Sequence, residues 1–104
     1  MMHIIDRNNK RVRFTDERKA HLADHHPEMI DQLDKIRETL KVPDCIIKSK
    51  TDTCVQLFYK YYVSTPVKAK LLCVVVKFIN DDNFIITAYF TDIIKKGELL
   101  WKKK

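Results

Sequence analysis

Two hydroxyl side chains stand two residues apart in the stretch FIITAYFTDIIKKGELLW, residues 84 to 101. Apolar residues alternate there at Phe84, Ile86, Ala88 and Phe90. That spacing predicts a strand with Ile85, Thr87 and Tyr89 on its second face. Upstream, YKYY at 59 to 62 gives Lys60 and Tyr62 the same two-residue relation, and HLADHHPE offers His21, His25 and His26. An imidazole can move a proton near neutral pH, a lysine can neutralise phosphoryl charge, and a hydroxyl can hold a phosphate. Those are parts of a small metal-free nuclease site.

Each residue also has a plain structural reading. Lys60 among tyrosines can bind phosphate while the rings stack on bases, yet any half-exposed strand can alternate Tyr and Lys. Thr87 is equally an ordinary β-branched strand residue. His21 and His25 lie four apart near Glu28, a spacing zinc accepts, but no third or fourth ligand is evident and no metal is expected. His26 precedes Pro27 and reads as a non-helical residue at a helix junction. His21, on a helix over a sheet, is the better catalytic candidate. His3 falls in a frayed start.

The elements that must position these groups come as helices first and strands after. VRF at 12 to 14 is compatible with a short strand. Thr15 is a good N-cap, with Asp16 and Glu17 behind it, for a helix reaching about His25. Pro27 suits the first position of a second helix, which spaces Met29, Ile30, Leu33, Ile36 and Leu40 along one face. Val42-Pro43-Asp44 ends it. Strands are expected at about 45 to 49, 54 to 63, 69 to 79 and 83 to 91. LLCVVVKF is apolar on both parities and should be central, and Asp81-Asp82-Asn83 should turn a hairpin. The fold class expected is α+β, two N-terminal helices packed on a four-stranded antiparallel sheet. One domain spans residues 1 to 104, with 1 to 11 and 102 to 104 flexible.

Charge is unevenly divided. Residues 1 to 44 carry nine Lys and Arg against nine Asp and Glu; residues 45 to 104 carry eleven lysines against five acids. The excess favours a polyanionic partner, with solubility alone as the simpler explanation. Cys45, Cys54 and Cys73 are an odd set without CxxC spacing, which suits reduced thiols in the cytoplasm. No secretory signal and no membrane span are expected. With Gly97 as the single glycine, no Gly-rich loop can cradle a nucleotide, so kinase and dehydrogenase chemistry is excluded.

Taken in order, HL…HHPE at 21 to 28, YKYY at 59 to 62, LLCVVVKF and ITAYFTDIIKKGELLW resemble phage-associated nuclease-like families of the barnase–EndoU–colicin–RelE (BECR) fold. The resemblance runs from Arg13 to Trp101. It implies a barnase-like fold and a metal-independent endoribonuclease, often a toxin, that leaves a 2′,3′-cyclic phosphate. By position it puts His21, Lys60 and Thr87 in catalytic roles with Tyr89 beside them. Tyr62, Lys77 and His26 are the candidate substrate contacts. No cofactor is implied. Partners would be RNA and an acidic antitoxin or immunity protein. A non-catalytic RNA- or DNA-binding module and a protein-interaction domain are the alternative classes.

Overall fold

A computed structural model describes residues 2 to 104. The chain order is β1 (Met2–Ile5), β2 (Arg11–Phe14), α1 (Asp16–His25), a 3-10 turn (Pro27–Met29), α2 (Leu33–Lys41), β3 (Cys45–Ser49), β4 (Val55–Tyr61), β5 (Leu71–Ile79), β6 (Asp82–Thr91) and β7 (Gly97–Lys102). The strands form one seven-stranded sheet in the order β1-β2-β6-β5-β4-β3-β7. β2 runs parallel to β6, and every other neighbouring pair is antiparallel. The sheet is therefore mixed, which corrects the expected four-stranded antiparallel sheet and with it the barnase-like arrangement. Two strands account for most of the difference. β1 has four residues of which only Ile4 is buried, too short for a clear alternation. β7 alternates irregularly because its register against β3 shifts between Ile46 and Ile47. The start of the chain, read as frayed, pairs His3 with Arg13.

Local signals explain the helices. Thr15 caps α1, its Oγ1 accepting from the Arg18 N–H at 3.2 Å. The second helix begins later than Pro27 suggests. Pro27 opens only the 3-10 turn; Asp31 then takes a left-handed conformation (φ 38°), and α2 starts at Leu33. The break leaves Ile30 55% exposed, off the stripe it was expected to join. α2 buries Ile36, Thr39 and Leu40.

Both helices cover the same face of the sheet. Val12, Phe58, Leu72, Val74, Val76 and Ile85 meet Leu22, Ile36 and Leu40 there. Each such fully buried Leu, Ile, Val or Phe contributes roughly 1.5 to 3 kcal/mol, so this layer is the principal source of stability. Arg7 lies over the Trp101 ring at 3.8 Å, tying the β1–β2 turn to the last strand. The other face carries a smaller cluster of Cys45, Ile47, Leu57, Tyr59 and Cys73. β5 is central and apolar on both faces, as its sequence predicts. The β5–β6 turn sits one residue earlier than expected: Asn80 and Asp81 both have positive φ (48° and 64°), and Asp82 begins β6.

Candidate functional site

β6 carries a bulge that decides which side chains reach the open face. Val76 pairs with Ile85 but Val75 pairs with Thr87, so Ile86 is an extra residue. Ile85 joins the helix-side core with Ala88, while Tyr89 packs with Cys73 on the open face. Thr87, opposite Val75, shares that open face. The expected grouping of Ile85 with Thr87 and Tyr89 is thereby corrected, and the pairing of the two hydroxyls is kept.

After Thr91 the chain crosses the open face to reach the far edge, where β7 pairs with β3. The Lys95 N–H donates to the Tyr59 hydroxyl at 3.0 Å on the way. Gly97 ends the crossing against β3, where a Cβ would run into the Lys48 carbonyl oxygen. Crossing and sheet enclose an open cleft of about 370 Å³. Val55, Leu57 and Val75 supply an apolar floor, Thr87 and Tyr89 one side, and Lys50, Lys95 and Lys96 the basic rim.

The rim is electrostatically uncompensated. Among the described residues, none of Lys50, Lys95 and Lys96 forms an ion pair. Asp52 is the one carboxylate lining the cleft, and it is committed to Lys77 at 3.1 Å. A hydrogen bond from the Cys54 N–H, with the Lys77 ammonium, holds the Asp52 carboxyl below its ordinary range. Lys77, expected to bind substrate, thus holds the β3–β4 turn. Burial pushes the Tyr89 hydroxyl well above its ordinary range, which makes it a neutral hydrogen-bond donor and a stacking ring rather than a base.

His26 ends α1, its N–H donating to the Leu22 carbonyl at 2.7 Å. Its ring stacks beside Tyr89 with 5.9 Å between centroids and 28° between planes. Nδ1 lies 3.2 Å from Glu28 Oε1. With Nδ1–H donating to that carboxylate, Nε2 is the nitrogen free to accept a proton. Lys95 Nζ lies 5.9 Å from the Tyr89 ring centroid. A histidine–carboxylate pair and Lys95 are thus gathered around the neutral Tyr89.

The other expected residues lie elsewhere. His21 is exposed and stacks on His25 at 4.1 Å; it does not line the cleft. Lys60 follows Phe58 by two residues, so it is on the helix side of the sheet, opposite Thr87 and Tyr89. Its Nζ donates to the Val42 carbonyl at 3.1 Å, at the negative end of α2. Tyr62 bonds Glu38 Oε1 at 2.8 Å and the Lys35 carbonyl at 3.2 Å. Lys50, Lys95 and Lys96 were not singled out from sequence, and Glu28 was named only beside the His21–His25 spacing; the Lys95-Lys96 pair before the lone glycine was the available signal. A separate hollow of about 310 Å³ between α1, the 3-10 turn and α2 is lined mainly by apolar side chains and holds no histidine, hydroxyl or thiol.

Among the described residues no group of three or more His, Cys, Asp or Glu could hold a metal ion, and no helix is long and apolar enough to cross a membrane. Comparison with family models, with curated proteins and with solved structures returns no match.

Proposed function

We propose that the domain is an endoribonuclease that works without a metal ion, with its reaction centre at the Tyr89 side of the open-face cleft. The observation that carries this reading is the stacking of His26, paired with Glu28, on Tyr89: the pair stands outside the cleft lining, and Tyr89 borders a cleft whose three lysines form no ion pair among the described residues. An apolar floor suits a base or ribose, and a basic rim suits the flanking phosphates.

In this mechanism His26 Nε2 takes the proton of a ribose 2′-hydroxyl. The 2′-oxygen attacks the adjacent phosphorus, the bond from phosphorus to the 5′-oxygen breaks, and that oxygen leaves protonated by water, whose hydroxide takes back the proton held on His26. The products are a 2′,3′-cyclic phosphate and a 5′-hydroxyl. Glu28 fixes the imidazole tautomer and stabilises the imidazolium that forms. Lys95 and Lys96 bind the flanking phosphates, Thr87 donates a hydrogen bond to a phosphoryl oxygen, and the Tyr89 ring stacks on a base. The role that the BECR resemblance gives to His21 passes here to His26. An acidic antitoxin or immunity protein, the second partner implied by that resemblance, would compete for the same lysines. Reduced thiols and an RNA substrate together suit the cytoplasm.

The test is incubation of the protein with end-labelled tRNA and unstructured RNA in EDTA, beside His26→Ala. Discrete products ending in cyclic phosphate, lost in the variant, are expected. Intact RNA with salt-sensitive binding would replace the enzyme with a binding module.

A further inference from the structure

We infer that Tyr59 is a positioning residue for the cleft, setting where Lys95 and Lys96 stand over the substrate; this rests on the reading of the cleft as an RNA site. The segment 92 to 96 is tied at both ends. At its start the Lys70 N–H donates to Asp92 Oδ1 at 3.1 Å, and the Ile93 N–H donates to Thr91 Oγ1 at 3.1 Å. At its end Gly97 pairs with Ser49. Between those ties, across the open face, the hydrogen bond from the Lys95 N–H to the Tyr59 hydroxyl is the one that joins segment to sheet among the described residues.

Tyr59 is suited to that task. It is fully buried, and Cys45 and Cys73 flank it on the neighbouring strands, so its ring cannot shift. Burial keeps its hydroxyl neutral, so the oxygen accepts from Lys95 while its own proton stays available to the adjoining Cys73 thiol. The two aliphatic residues of the segment, Ile93 and Ile94, are exposed and give it no packing of their own. Position therefore comes from a polar contact to an immobile ring. Without it the two lysines would keep their charge and lose their place, which weakens substrate capture and leaves the His26–Glu28 chemistry untouched.

Tyr59→Phe tests this, because the ring still fills its site and only the hydroxyl that accepts from the Lys95 N–H is removed. The measurements are Kd for a 2′-O-methyl RNA oligonucleotide, which cannot be cleaved, and kcat and KM for cleavable RNA. Kd and KM are expected to rise about fivefold, the effect of one hydrogen bond, with kcat within about twofold. The Lys95 amide should exchange hydrogen faster than in the wild type. Tyr62→Phe, which loses a hydrogen bond on the other face, should leave Kd unchanged and so separates positioning from general loosening. Unchanged Kd in Tyr59→Phe, with a binding wild type, overturns the inference alone. A flat titration of the wild type overturns the cleft reading and the inference with it.

Discussion

The Tyr62 hydroxyl donates to the Glu38 carboxylate at 2.8 Å, joining the residue after β4 to the exposed side of α2. The same oxygen lies 3.4 Å from Thr39 Oγ1. Tyr62 is therefore a clamp between sheet and helix. Tyr62→Phe should lower stability by about 1 to 2 kcal/mol, as expected for a hydrogen bond to a charged group, with RNA cleavage retained. Urea unfolding beside an activity assay checks this. Lost cleavage at unchanged stability would return Tyr62 to the substrate.

The two histidines can be separated directly. His26→Ala should reduce cleavage by roughly 10² to 10⁴, the usual contribution of a positioned acid or base. His21→Ala should leave it within about twofold, since its ring stacks on exposed His25, whereas that of His26 stacks on Tyr89 of the cleft. The opposite ranking in single-turnover assays would move the reaction to the outer face of α1.

The lysines should divide by face. Replacing Lys95 or Lys96 with alanine should reduce the slope of log affinity against log salt by about 0.7 each on single-stranded RNA. Lys60→Ala should leave that slope unchanged and cost about 0.5 kcal/mol of stability by uncapping α2. Salt titrations of the three variants decide; an equal slope change for Lys60→Ala would put RNA across the helix side as well.

Thiol reactivity reports on the open face. Cys54 is exposed, whereas Cys45 and Cys73 are buried. Burial pushes the Cys73 thiol up to about 11 and the Cys45 thiol above its ordinary range, which removes the reactive thiolate near neutral pH. Ellman's reagent should label one cysteine quickly in the native protein and all three in denaturant. Fast native labelling of Cys73 would mean that the crossing segment opens.

Asp6 gives the fold a pH dependence of defined sign. Its Oδ1 accepts from the N–H groups of Asn8 and Lys10, but Oδ2 is buried without a partner. Desolvation raises its carboxyl above the ordinary 3.8. The folded state thus holds that proton more tightly than the unfolded chain, and Asp6 makes stability fall as pH rises through 3.8 to the raised value. Asp6→Asn removes this component, so its stability relative to wild type should grow across that interval and then level off. Urea unfolding of both proteins from about pH 3 to about pH 7 measures it; a relative stability that shrinks instead would contradict the assignment.

What could be read from sequence was local. The Thr15 cap, the alternation in β4 and the central place of LLCVVVKF each depend on neighbours in the chain. Sheet order depends on distant pairings, and the parallel β2–β6 contact and the β7–β3 edge had no local signature. The site divides in the same way. Thr87 and Tyr89 were correctly grouped by their spacing, while Lys60 had the right parity for its strand but no sign of which face the helices would cover. His26 reaches Tyr89 because α1 ends beside β6, and no spacing within HLADHHPE encodes that meeting.

The bulge in β6 leaves a mark on which lengths of this strand the fold can accept. Ile86 is the residue that lets Ile85 sit under the helices while Thr87 and Tyr89 look into the cleft. Deleting it would rejoin two segments already in matching phase and straighten the strand. Deleting Thr87 instead would slide Ile86 into its place and lose the hydroxyl, and deleting Ala88 or Tyr89 would shift the residues between bulge and deletion, turning Thr87 inward. In a scan of single-residue deletions, Ile86 should therefore be the tolerant position, and the cleft face survives there because the strand carries one residue more than its pairing needs.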